Sequence, residues 1–196
     1  MGERRAAAEE KARGGWLFYG LVGLLFAATL AWMIAEYRDA RPAYVGLPAP
    51  DFELPVLNAA TGSSGRLALS ALRGQPVLLN FWSVTCGPCL DELPDLAAAY
   101  ERYRGAGLML VAVNTDGDPS MLPHVRDFVA RGAVGGGAGL TFPVLFDEVG
   151  EVSARYKVTR IPHTVLVGRD GVVRKVLARR LFADELTAEV EALLGS

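Results

Sequence analysis

The chain has 196 residues, about half of them apolar, enough for one globular domain with an appendage. Its 20 basic and 22 acidic residues leave a net charge of −2, so nothing points to a nucleic-acid partner. The only two cysteines, Cys86 and Cys89, lie too close together to staple a fold. A bridge between them closes almost no loop and removes little entropy from the unfolded chain.

The first pattern along the chain is the stretch 16–35, WLFYGLVGLLFAATLAWMIA, which carries no charge. A helix of that length rises ~30 Å, the thickness of a bilayer's hydrocarbon layer. Trp16, Tyr19, Trp32 and Tyr37 sit near its ends, where aromatic rings favour the interface. Arg4, Arg5, Lys11 and Arg13 precede it, against Arg38 and Arg41 after it. The positive-inside bias predicts a cytoplasmic tail over 1–15, an inner-membrane anchor over 16–35 and a remainder outside the cytoplasm, periplasmic or otherwise extracytoplasmic. A cleaved signal peptide fits less well, because the run is long and Glu-Tyr-Arg-Asp follows it.

Residues 36–50, with Pro42, Pro48 and Pro50, read as a stiff linker. The globular domain is then 51–196. Short strands are expected over 52–57 and 66–69, either side of a turn at 61–65. Val77–Trp82 is a compact apolar run, expected to be a buried central strand. A helix follows to about Arg104, with Leu93, Leu96, Ala97 and Tyr100 on one face and Gly105 and Gly107 ending it. Leu108–Val113 is the next strand. Asp118 and Pro119 open a helix reaching about Ala130, with Pro123 blurring its start. The glycine-rich stretch 135–139 lacks the Lys-Ser/Thr of a phosphate loop. Phe142–Phe146 reads as a strand and 147–156 as a helix. Asp170-Gly171 between two β-rich runs, 164–167 and 172–177, signals a hairpin. Ala183–Leu194 closes the chain as an amphipathic helix. This order predicts an α/β fold with a mixed central sheet flanked by helices on both faces, preceded by one transmembrane helix.

Cys86 directly follows a buried strand and opens a helix. Unpaired N–H groups at a helix start stabilise a thiolate, which lowers the thiol pKa below its usual ~8.5 and makes the sulfur nucleophilic. Cys89, three residues on, lies on the same helical face and can resolve a mixed disulfide. Pro88 suits the first turn, where its missing N–H costs nothing. A zinc site would need more ligands, and His124 and His163 are isolated. No metal or other cofactor is expected. Asp116 and Asp118 read as a loop residue and a helix cap.

Phe81-Trp82-Ser-Val-Thr-Cys86-Gly87-Pro88-Cys89, with Glu92 and Pro94 beyond, resembles the active site of the thioredoxin superfamily, and in particular its membrane-anchored TlpA/ResA-like thiol-disulfide oxidoreductases. The segments Phe142-Pro143, Tyr156-x-Val158, Ile161-Pro162 and Asp170-Gly171 follow in the same order over about 47–195. The resemblance implies a thioredoxin-like fold and a Cys86/Cys89 dithiol-disulfide cycle. It also implies a cis-proline at Pro162, with Ile161 offering backbone groups to an extended substrate beside Gly87 and Pro88. Trp82 is expected to flank the substrate; the other reading is a plain core aromatic at a strand end. The implied role is reductive: disulfides of exported proteins such as apocytochrome c, with electrons from a membrane thiol donor, carried out by a monomer.

Two departures stand out. Thr85 occupies a position where the family usually has Trp, and Asn80 one where thioredoxin has a buried acid. The resemblance offers Glu92 as the acid instead; the other reading is a surface glutamate held by the helix dipole. His163 is either a tuner of the thiolate or a packed ring. Two other function classes fit less well. A thiol peroxidase needs a peroxidatic cysteine in a different setting, and a non-catalytic binding module has little reason to keep both cysteines.

Overall fold

The computed structural model describes residues 19–33, 43–58, 65–131 and 139–195. The chain divides into two units, 1–41 and 42–196.

In the first unit, residues 19–33 are helical (α1) and exposed throughout. Residues 16–18 and 34–35 of the uncharged run lie outside the described residues, as does the tail 1–15. Among the described residues no helix is long and apolar enough to cross a membrane.

In the second unit the β-branched and apolar runs assemble a five-stranded sheet in the order β5-β4-β3-β6-β7. At its centre is β3 (Val77–Trp82), buried at every position as a strand covered on both faces must be. It pairs in parallel with β4 (Met109–Asn114), which pairs in parallel with β5 (Val144–Phe146). On its other side it pairs antiparallel with β6 (His163–Val167), which forms the expected hairpin with β7 (Val173–Leu177). Gly171 makes that hairpin's turn at φ 77°, where a side chain would be strained and would also run into Arg73. The mixed sheet is as expected. A separate antiparallel pair, β1 (Glu53–Pro55) and β2 (Arg66–Ala68), precedes it.

Alternation along the strands divides the core in two. Leu78 and Trp82 of β3, with Leu110, Ala112 and Leu166, face three helices: α2 (Gly87–Tyr103), α3 (Leu122–Arg131) and α5 (Ala183–Leu194). Leu79 and Phe81, with Val111 and Val165, face α4 (Glu151–Arg155), Tyr156 and Phe52. Helix α2 runs through Pro94, which withholds an N–H from the helical ladder; the fully buried Leu93 and Leu96 on either side hold it against the sheet.

Three boundaries differ from the sequence reading. The helix expected over 147–156 is short because Asp147 lies outside it as an acceptor, taking N–H bonds from Val152 and Ser153 and the Ser153 hydroxyl. The helix expected from Pro119 starts as a 3₁₀ turn, Pro119–Met121, capped by Asp118. The linker expected over 36–50 does not extend to 50: residues 43–50 dock on the 171–173 turn and strand. Gly46 N–H donates to Val173 O (2.8 Å), Val173 N–H to Leu47 O (2.9 Å) and Ala49 N–H to Gly171 O (2.9 Å). Prolines that read as a spacer also suit an edge segment, since they ask for no N–H partner there. The turn at 61–64 and most of the glycine-rich stretch lie outside the described residues.

Candidate active site

Strand β3 ends at Trp82, and four residues later α2 begins with Cys86 as its N-cap, in extended backbone geometry (φ −95°, ψ 98°). The Cys86 sulfur accepts the N–H of Cys89 at 3.2 Å, so the helix start aims a donor at that sulfur. The two sulfurs are joined, with S–S 2.06 Å and Cα–Cα 5.2 Å. Their exposure is unequal: Cys86 is partly open to solvent, whereas Cys89 is buried at 2%. Thr85, Gly87 and Pro88 around Cys86 are exposed. Antiparallel register pairs Phe81 with His163, which sets Pro162 level with Trp82 at the end of β3. The Ile161–Pro162 bond is cis, as the resemblance implied.

Glu92 lies one turn beyond Cys89 and is fully buried, which overturns the surface-glutamate alternative. Its carboxylate accepts the Leu181 N–H at 2.9 Å and, more distantly, the Asn80 amide at 3.4 Å. Asn80 also donates to Thr164 at 3.1 Å. Burial in the core pushes the Glu92 pKa up to about 7, against the opposing pull of those donors and of the Arg180 charge. The buried acid of this region is thus carried by the helix, with Asn80 of β3 as its hydrogen-bond partner.

One sequence expectation is corrected and one open alternative is decided. Trp82 is fully buried with its ring tilted against Phe128 at 5.4 Å, so it floors the site and offers no surface to a substrate. A central strand covered on both faces leaves even its last side chain inside. His163 shares a face with its register partner Phe81, whose ring it meets edge-on at 5.8 Å. That face is opposite to α2, so His163 is the packed ring, and burial lowers its pKa.

The sequence reading missed what holds the Cys86 loop. Asp116 accepts three donors: the Ser83 hydroxyl (2.5 Å), the Val84 N–H (3.1 Å) and the Asn114 amide (2.6 Å). Because Ser83 spends its one hydrogen on Asp116, the 2.8 Å contact between Ser83 and Thr85 hydroxyls has Thr85 as donor. Thr85 is thus tied inward where the family carries a broad ring. The available signal was topological: in adjacent parallel strands Trp82 pairs with Asn114, so the residues just beyond both ends must meet. Asp116→Asn leaves one carbonyl for three donors and is expected to lower stability by about 1–3 kcal/mol. Urea denaturation checks this, and an unchanged midpoint would remove the clamp.

A profile of the AhpC/TSA family matches residues 45–176. The chain belongs to the AhpC/TSA family. The thiol-disulfide oxidoreductase ResA of Oceanobacillus iheyensis is 30% identical over 186 residues, 94% of this chain and 92% of that protein. ResA of Geobacillus kaustophilus is 34% identical over 149 residues, 76% and 78% of the two chains. Among solved structures, a candidate thiol:disulfide interchange protein DsbE from Chlorobium tepidum aligns with a TM-score of 0.66 and 30% identity, covering 78% of this chain and 99% of that one. With these relatives and the joined Cys86–Cys89 pair, the chain is a thiol-disulfide oxidoreductase of thioredoxin-like fold.

Proposed function

We propose that this oxidoreductase reduces disulfides in exported proteins from the outer side of a membrane, with Cys86 attacking and Cys89 resolving. The observation that carries the reading is the unequal pair: a partly solvent-exposed Cys86 at a helix N-terminus, joined to the buried Cys89. In the reduced enzyme the Cys86 thiolate attacks a substrate disulfide, forming a mixed disulfide and releasing one substrate thiolate. Cys89 then loses its proton to Glu92, attacks the Cys86 sulfur and displaces the second substrate thiol. The substrate gains two electrons and the enzyme returns to the Cys86–Cys89 disulfide. Gly87, Pro88, Ile161 and cis-Pro162 form the rim along which an extended substrate segment lies. A membrane dithiol donor resets the pair.

The direction is supported by Gly-Pro between the cysteines, which resembles reducing thioredoxins. The anchor is supported by the uncharged run 16–35 and its basic N-terminal flank. Apocytochrome c is one substrate class that fits the resemblance; the enzyme works as a monomer.

Cys89→Ser in the full chain is the test. A mixed disulfide on Cys86 should accumulate in intact cells, its partner should be an exported protein identified by mass spectrometry, and the adduct should stay with alkali-washed membranes. Absence of any protein adduct would overturn the protein-disulfide reading; release into the wash would overturn the anchor.

A further inference from the structure

Between β7 and α5 the residues 178–182 cross the first turns of α2, and nothing in the exchange chemistry above requires them. Their attachments are specific. Arg180 reaches Asp91 twice, through the carboxylate (Nη1, 3.1 Å) and the backbone carbonyl (Nη2, 3.1 Å). Its guanidinium sits 5.0 Å from the Phe182 ring centre, and its Nε is buried. Next to it, Leu181 is fully buried and turns its N–H onto Glu92. Asp91 and Glu92 are neighbours on α2, so one grip on Asp91 sets the register for the other on Glu92.

We propose that 178–182 is a positioning strap for Glu92, with Arg180 as the positioning residue: by clamping Asp91 it holds the Leu181 N–H and its own charge against the carboxylate that serves Cys89. This rests on reading Glu92 as the proton acceptor. The strap acts on the charged form, since an N–H donor and a guanidinium both favour a carboxylate over a carboxylic acid. The surrounding groups make the effect separable. Asp95, on the same helix, opposes the charge, and Cys89 lies one turn back on that helix. The sheet offers the uncharged Asn80 and Thr164, and His163 lies on its far face. Among the described residues Arg180 is the one cation among the groups acting on Glu92.

The experiment is the pH dependence of second-thiol release from an oxidised model peptide by the reduced full chain, followed by stopped flow from about pH 5 to about pH 9. Wild type should show a rising limb with its midpoint near the Glu92 pKa, and Glu92→Gln should lose it. Arg180→Met, which keeps the aliphatic stem, should shift the midpoint upward by about half a unit, the scale of one partly exposed charge near a buried acid. Arg180→Lys should return it towards wild type. Arg180→Gln serves as the neutral variant if Met at this site does not fold. A residue that only braced the fold would lower the rate without moving the midpoint. If Glu92→Gln loses the limb while both neutral Arg180 variants keep the wild-type midpoint, the strap is overturned and the acceptor reading stands. If Glu92→Gln keeps the limb, the acceptor reading falls and the strap with it.

Discussion

Cys86→Ser is expected to abolish disulfide exchange, by at least ~10³-fold, because an alcohol is not ionised near neutral pH and cannot form the mixed disulfide. The magnitude follows from where the sulfur sits. It caps α2 with the Cys89 N–H pointed at it, so the thiolate of the reduced enzyme is met by a donor already in place. Direct titration of the reduced enzyme by thiolate absorbance should place the Cys86 thiol below the ~8.5 of a free cysteine. Stability should barely change, because the Cys86–Cys89 bridge spans three residues and constrains little of the unfolded chain. Retention of protein-disulfide reduction by the Ser variant would end the cysteine mechanism.

Glu92→Gln should make the oxidised protein more stable at pH 8 by up to about 3 kcal/mol, yet leave it unchanged near pH 4. The sign comes from proton counting. Unfolded, the carboxyl titrates near its ordinary 4.5; folded, burial raises it to about 7. Between those values the native state holds a proton that the unfolded state has lost, so native stability falls as pH rises through the window. Above the window the native chain carries a buried charge, answered by the Leu181 N–H, the distant Asn80 amide and Arg180. Glutamine removes that burden and still accepts the Leu181 N–H. The same variant should slow resolution of the mixed disulfide by about 10²-fold, the usual scale for a lost general base. A site tuned for proton transfer at the expense of stability is a familiar trade-off. Urea denaturation of the oxidised chain at the two pH values decides it: equal stability of both proteins at pH 8 would mean that Glu92 carries no buried charge there.

Much of this architecture is local and so was legible along the chain. Val77–Trp82 is apolar enough to read as a doubly covered strand, Asp170-Gly171 as a hairpin turn and Ala183–Leu194 as a closing helix, because period, turn chemistry and apolar runs are short-range properties. The placement of Cys86 and Cys89 at a strand-to-helix junction is equally local. The errors came where partners lie far apart in sequence. Residues 43–50 read as a spacer along the chain because their bonds go to 171–173. Trp82 reads along the chain as a residue flanking the substrate, whereas the helices that cover it come from elsewhere in the chain.

By itself the sequence determined the fold class, the reactive pair and the run 16–35 that supports an anchor, since each is written in contiguous residues. Only the tertiary structure decided that Glu92 is buried, that Asp116 clamps the Cys86 loop and that Arg180 grips α2 from the far end of the chain. Those contacts span 12 to 89 residues of sequence. The energy of a buried carboxyl depends on what surrounds it in space, and no pattern of neighbours along the chain encodes that.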